Sequence, residues 1–465
     1  MGHCIQSRVS CQLSDELDKI DESDGLPFEG LLSTDVVRGV LQRLGIDFRE
    51  RIYSPWVTLW AFLSQVISLE GTCEDAVLRV AAYRSANGKS QCSGETTSYC
   101  AARSGLPEEL YSELTRQIGQ QLDNQARKAW LCRGRHVKVV DGSTLTMTDT
   151  EANQEEFPQS SNQEPGVGFP LARIVVVLSL AVGSLLDAAI RASKGKKTGE
   201  TTLFRELWSC FNPGDIVLAD CLYDSYRDIA QLRERSIDVL FGMKQSRQRD
   251  FRRGRQLGKN DHIVTWTKPQ FDKSRIDRAT WEALPASMEM RELSVRVKRK
   301  GHRARTITLV TTLLDAELYP AEELADLFRQ RWNCEIDLRS IKTHLGMHHL
   351  ACKSPEMIRK EFWTYLLAYN LIRVRMAQAG AIHGVVPREL SFMSAKKTIQ
   401  SFSPIISVSS PSQARALVEV MLHYISRYRV GKRPGRSEPR AVKRRAQKHK
   451  LLTKPRHEAR KALTC

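Results

Sequence analysis

Two aspartates follow apolar runs that read as strands. Asp141 comes after residues 136–140 (H-V-K-V-V), and Asp220 after residues 215–219 (D-I-V-L-A). Parallel neighbouring strands bring such ends together at one edge of a sheet, where two carboxylates can share a cation. Taken singly, each reads as a loop or N-cap aspartate. A third group changes the weighting: Phe328-x2-Arg331-x3-Glu335-x6-Lys342, within one predicted helix. At about 100° per residue, Arg331, Glu335 and Lys342 fall near 300°, 340° and 320° from Phe328, on one narrow face. Leu327, Cys334, Leu338, Ile341 and Leu345 form an apolar stripe beside it, centred near 250°. A carboxylate between two cations at the edge of the core suits a metal and a phosphate held side by side. Glu335 offers a hard oxygen, and Arg331 and Lys342 offer donors to phosphate oxygens. A salt-bridged helix face is the plainer alternative.

The elements that must position these groups are legible in outline. Residues 136–140, 172–180, 185–190, 215–219 and 238–241 predict strands, the second and third as a hairpin across Gly183-Ser184. Residues 200–208 and 227–235 predict helices between them, an α/β order that gives a mixed sheet with helices on its faces. Residues 245–305 are basic, Gly-punctuated and alternating, a β-rich insertion. Residues 306–313 predict one more strand before the long helix, which runs from after Pro320 to about His344. Upstream, Ser54-Pro55 signals a helix start, and further helices are expected at 73–84, 95–103 and 107–122. This gives a weakly structured segment 1–32, a helical domain 33–130 that either reads DNA or a partner surface or simply caps the next domain, and a catalytic domain 131–350. C-terminal helices 351–430 and a basic, disordered tail 431–465 follow.

Composition narrows the class. Lys and Arg number 71 against 53 Asp and Glu, a net charge of +18, which points to an anionic partner. Fifteen Lys/Arg and two Asp/Glu lie from Arg427 onward, so the tail carries +13 and the body only +5. The 11 cysteines are scattered without a C-x-x-C pair, and no secretory apolar segment opens the chain, so a reducing cytosol is expected. The longest apolar run, 174–186, has 13 residues, against roughly 20 for a membrane span.

The motifs D-G-S at 141–143, L-A-D-C-L-Y at 218–223 and F-R-Q-R-W-N-C-E-I-D-L-R-S-I-K at 328–342 resemble the bacterial DDE transposases of the IS-four family. That family carries Y-x2-R-x3-E-x6-K on the helix bearing its catalytic Glu. The spacing here fits throughout, with Phe328 replacing the Tyr and losing its hydroxyl. The resemblance spans about residues 137–342. It implies an RNase H-like mixed sheet flanked by helices, with a β insertion before the Glu helix. It also implies catalysis and metal binding by Asp141, Asp220 and Glu335, and phosphate contacts by Phe328, Arg331 and Lys342. The cofactor would be two Mg²⁺ ions about 3.5–4 Å apart, with Mn²⁺ able to substitute. The partners would be double-stranded DNA, as element ends and target, and a second copy in a synaptic dimer, with no membrane. The setting would be the bacterial cytoplasm, at the nucleoid through DNA. A hairpin intermediate comes with the resemblance alone. A catalytically silent DNA-binding relative, and an RNase H-like nuclease without strand transfer, are the competing readings.

Weaker signals surround this centre. Arginines including Arg252 and Arg253 open the insertion, and Lys298 and Arg299 lie near its end. They suit DNA backbone binding or a charged strand edge. Trp266 and Trp281 lie between them and suit either base stacking, as in the family, or core packing. His344, His348, His349 and Cys352 lack a second pair at zinc-finger spacing, and zinc is not expected. Removing residues 431–465 should lower general DNA affinity and reduce its salt slope by about 0.9 for each phosphate the tail neutralises, sparing end preference. Binding titrations at several salt concentrations check this; loss of end preference would make the tail a specificity element.

Overall fold

The apolar runs pair into one ten-stranded mixed sheet in the computed structural model, which describes residues 31–49, 51–68, 70–247, 249–273, 276–297, 305–431 and 452–461. Strand β1 is Val137–Met147, β2 Leu171–Ser179, β3 Leu185–Ala192, β4 Ile216–Ala219 and β5 Asp238–Gly242. The insertion adds β6 Arg255–Gly258, β7 Asp261–Thr267 and β8 Ser287–Val297. Strand β9 is Arg305–Thr311 and the short β10 is His349–Leu350. Across the sheet the order is β3-β2-β1-β4-β5-β9-β8-β7-β6, with β10 beside β1. Strands β1, β4 and β5 are parallel, β2 is antiparallel to both β1 and β3, and β9 through β6 form an antiparallel ribbon. The insertion thus prolongs the central sheet. Residues 1–30 of the predicted N-terminal segment 1–32, Lys298, Arg299 and most of the basic tail lie outside the described residues; of the tail, Arg456–Lys461 forms a short helix where an irregular chain was expected.

Period-two alternation feeds two cores. Val137, Val139, Ile174, Val176, Ile216 and Leu218 face one side, where helices carrying Leu327, Cys334, Leu338 and Leu366 cover them. Val140, Val175, Val177, Val217 and Ala219 face the other, against Leu203, Phe204, Tyr223 and Ile229. Burial on both faces is why these strands read as continuous apolar runs. The helices Thr34–Arg43, Pro55–Ile67, Cys73–Ala86, Thr97–Gly105 and Glu108–Asn124 form near the predicted places. They share the first core with the helix Pro355–His383, and Arg116 pairs with Asp187 of β3 at 2.7 Å. No described helix is long and apolar enough to cross a membrane.

Two expectations change. Strand β1 does not end at Asp141 but runs six residues further, because β2 and then β10 continue to pair with it. The helix predicted from Pro320 to His344 is broken into Ala321–Arg329, Trp332–Arg339 and a π-helical turn Ser340–His344. Near Arg331 the amides of Asn333 and Cys334 bond back three residues, tightening the chain, and the Leu345 amide bonds back five, to Ser340.

One buried ionic cluster fixes this broken helix to its surroundings. Asp337, fully buried, accepts hydrogen bonds from Arg373 of the long helix and from Arg388. Arg388 also donates to the carbonyls of Ser179 and Leu180, and Arg373 to the Tyr369 hydroxyl, which in turn donates to Gly183. Gly183 sits at φ +78°, and a Cβ there would lie 2.9 Å from the Arg373 guanidinium, so the β2–β3 turn needs glycine twice over. Asp337→Asn should destabilise the fold by about 3–5 kcal/mol, because two buried guanidiniums lose their counter-ion. Urea unfolding checks this; a loss below about 1 kcal/mol would remove the cluster's structural weight.

Candidate active site

Register places the aspartates. In the parallel β1–β4 pair Val137 lies opposite Ile216 and Val139 opposite Leu218, so the same offset sets Asp141 level with Asp220. Both share the parity of Val139 and Leu218, which face the core under the broken helix. Strand β4 ends at Ala219, so around Asp141 and Gly142, before β10 joins at Thr146, that flank of β1 has no strand beside it. Asp220 caps the turn Cys221–Tyr223, with Oδ1 accepting from the Leu222 amide at 2.7 Å. Asp141 Oδ1 accepts from the Gly142 amide at 3.0 Å.

Arg331 joins the strand to the helix. Its Nη1 lies 3.5 Å from Asp141 Oδ2, and its Nη2 lies 3.5 Å from Glu335 Oε1. The break at Gln330–Arg331 lets this residue lie between the two carboxylates. Lys342, on the π-helical turn, donates to Ser143 Oγ and to the Thr144 carbonyl, each at 2.9 Å. Two of its three N–H groups therefore hold the turn against β1, and burial lowers its pKa. The Phe328 ring packs toward Gly242 of β5, where a Cβ would lie 3.3 Å from Cζ and 3.1 Å from the Cys221 amide beside Asp220. All six residues of the predicted centre thus gather at the C-terminal end of β4.

Burial raises the Asp141 pKa to about 6; Arg331 and the Gly142 amide oppose this, and the Asp220 and Glu335 charges add to it. Among the described residues no three His, Cys, Asp or Glu side chains stand close enough to hold a metal ion as they are. The donors are nevertheless hard carboxylate oxygens whose mutual repulsion a cation would relieve, which fits a divalent ion of the Mg²⁺ class.

The peripheral candidates divide. Trp266 is buried, its indole N–H donates to Glu292 Oε1 at 2.7 Å, and the Arg247 guanidinium covers its ring at 3.6 Å. It is a core residue and not a stacking platform, because the β7–β8 pairing turns its face inward. Trp281 is half-buried, with Lys268 at 4.3 Å and Arg278 at 5.5 Å from its ring centre. Arg252 and Arg253 are exposed and partly neutralised by Asp250, at 2.8 Å and 3.4 Å. Sequence reasoning did not single out Asp337, Arg373 and Arg388, nor Glu200, whose carboxylate lies against Gly142. The glycine directly after Asp141 was the available signal, since a glycine inside a strand marks a close approach.

The raised Asp141 pKa makes stability depend on pH. Between about pH 4 and pH 6 the folded metal-free protein keeps a proton that the unfolded chain has released, so stability falls as pH rises through that window. Asp141→Asn removes this cost. The variant should gain on the wild type by of the order of 2 kcal/mol above pH 6.5 and by almost nothing at pH 4. Denaturant unfolding of chelator-treated protein at both pH values checks this, and a pH-independent difference would contradict it.

The chain resembles known proteins. The family model described as "Transposase DDE domain" matches residues 133–371, just over half of the chain. The transposase InsG for insertion sequence element IS4 of Escherichia coli (strain K12) is 28% identical over 366 residues, 76% of this chain and 77% of that one. The transposase for insertion sequence element IS421 of Escherichia coli is 34% identical over 82 residues, 16% of this chain and 22% of that one. Among solved structures, a piggyBac transposase synaptic complex with hairpin DNA aligns over 90% of this chain and 87% of that one, at a TM-score of 0.43 and 10% identity. With the matched family model spanning β1, β4 and the broken helix that carries Glu335, the chain belongs to the DDE transposases.

Proposed function

We propose that this transposase binds the ends of its insertion sequence, cuts them and joins them to target DNA at a centre formed by Asp141, Asp220 and Glu335. The observation that carries this reading is the shared level of Asp141 and Asp220, with Arg331 bridging Asp141 to Glu335. Enzymes of this family use divalent metals. Here the cofactor is two Mg²⁺ ions, or Mn²⁺ in their place, and they supply activation of the attacking oxygen and neutralisation of the leaving oxygen. Asp141, Asp220 and Glu335 hold them. Arg331 releases the carboxylate oxygens and turns to phosphate, for which its planar fork is suited. Lys342 keeps one N–H for a phosphate oxygen while its other two stay on β1. Phe328 closes the side of the site next to Asp220.

Two reactions then use one centre. Water adds to phosphorus at the element's end and the P–O3′ bond breaks, giving a 3′-hydroxyl and a 5′-phosphate. That 3′-oxygen next adds to a phosphorus of another strand, whose own P–O bond breaks, so one bond is exchanged for another. An opposite-strand phosphate gives a hairpin, and a target phosphate gives insertion. Backbone affinity comes from exposed cations such as Arg252 and Arg253, with Trp281 as a stacking surface beside them.

Two element ends call for two copies of the chain, most simply as a two-fold dimer. Of the apolar faces on the helices near Phe362 and Leu417, Phe362, Leu366, Tyr369, Val418, Met421 and Leu422 are buried within the protomer, while Tyr365 and Leu417 are partly exposed. The dimer therefore forms through other surfaces or through DNA. Asp141→Asn, Asp220→Asn and Glu335→Gln should each reduce cleavage of end-containing duplexes by about a thousandfold or more, leaving duplex affinity within a few-fold. Gel assays of cutting and binding, with Mg²⁺ and again with Mn²⁺, check both parts. Near wild-type cutting by Glu335→Gln would remove Glu335 from the centre, and cutting without joining would favour a hydrolytic nuclease.

A further inference from the structure

Glu200 opens the short helix Glu200–Glu206, which follows β3 and packs on the second core. Its side chain reaches the backbone of β1. A Cβ added to Gly142 would lie 2.5 Å from Glu200 Oε2 and 2.6 Å from its carboxyl carbon, so any larger residue there would displace this carboxylate. Gly142 is the neighbour of Asp141, and side-chain positions alternate along a strand, so Glu200 arrives from the opposite face of the sheet. At this level β4 has already ended, and no strand beyond β1 separates the two faces.

The place of β4 is taken by the turn Cys221–Tyr223. Tyr223 is 1% exposed, and its hydroxyl has no hydrogen-bond partner among the described residues. Burial pushes the Tyr223 pKa up, and the charges of Glu200, Asp220 and Asp141 act in the same direction. A buried hydroxyl without a partner is costly unless something completes it. Glu200 is itself weakly compensated. Arg173 Nε lies 3.9 Å from Oε1, too far for a hydrogen bond, and that Nε is likewise unpartnered, while Arg173 Nη1 donates to the Thr198 carbonyl.

We infer that Glu200 is a fourth carboxylate of the centre, giving an oxygen, directly or through a bound water, to a divalent cation held by Asp141 and Asp220, with the Tyr223 hydroxyl orienting that oxygen or water. This rests on the proposed use of divalent cations by Asp141, Asp220 and Glu335. It accounts for the glycine after Asp141, for the orphaned tyrosine and for a glutamate left with only a distant cation.

The test measures Mn²⁺ binding to chelator-stripped full-length protein by electron paramagnetic resonance, without DNA or turnover. Glu200→Gln keeps the shape and should weaken Mn²⁺ binding by roughly tenfold or more; Tyr223→Phe should weaken it in the same direction by less. Arg173→Met removes the ion pair but keeps the carboxylate, and should leave Mn²⁺ affinity unchanged. Asp141→Asn serves as the reference. If Glu200→Gln binds as wild type does while Asp141→Asn loses the ion, Glu200 is no ligand and the two-cation reading stands. Weakening in Arg173→Met equal to that in Glu200→Gln overturns the inference too, since Glu200 would then act by holding Arg173. A wild-type protein that binds no Mn²⁺, or binds it undiminished in Asp141→Asn, overturns both.

Discussion

Asp141 lies in a poorly solvated place with Asp220 and Glu335 nearby, and the burial of its charge is the constraint the rest of this structure answers. Asp141 is pushed to a pKa of about 6 by its burial, with the charges of Asp220 and Glu335 acting in the same direction. Left free, Asp141 would take up a proton as the pH falls through about 6. Two strands and a broken helix hold the three carboxylates in place, and Arg331 supplies a cation between Asp141 and Glu335. A site that needs a positive charge in the absence of metal is one prepared to take up metal ions and phosphate, because either ligand changes the local balance in a predictable direction.

Holding like charges together requires a stiff frame, and the frame is built on buried ion pairs on each side of the centre. Asp337 ties the Glu335 helix to Arg373 and Arg388, and through them to the β2–β3 turn. Lys138, fully buried in β1, pairs with Asp215 just before β4 at 2.7 Å, locking the register that sets Asp141 level with Asp220. In the insertion, Arg291 of β8 pairs with Asp261 of β7 and donates to the Tyr319 carbonyl, just before the helix that leads to Arg331. Such pairs add little net stability, but each forbids sliding of its element, since a slip would bury an unpaired charge. The π-helical turn then delivers Lys342 to β1, and β10 continues from it along the same strand.

Much of this was legible in the residues. The apolar runs before Asp141 and Asp220 are long enough to be strands, and parallel order follows from the helices between them. The spacing from Phe328 to Lys342 put four side chains on one face; Arg331 and Glu335 meet at 3.5 Å although the helix there is broken, while Lys342 turns to β1. An ideal 100° step cannot foresee a turn tightened at Arg331 and then widened at Ser340, since those changes answer tertiary interactions of Arg331, Asp337 and Lys342. Asp141 is not the strand end that its sequence suggests, because β2 goes on pairing with β1 past it, and at the far end β10 joins from a segment two hundred residues away. Trp266 could be assigned only once the β7–β8 register fixed which face it turns to, and Glu200 only once the connection after β3 was folded back onto Gly142. Periodicity and spacing carry local geometry; the partners that complete a buried charge come from distant parts of the chain.

The most direct test of the centre is a crystal of the protein with a duplex carrying the element's end, soaked in Mn²⁺ and measured at the manganese absorption edge. Two anomalous peaks bound by Asp141, Asp220 and Glu335, with Arg331 moved from Asp141 onto a phosphate, are the predicted result. Peaks elsewhere, or none with the Arg331 bridge intact against bound DNA, would contradict the account.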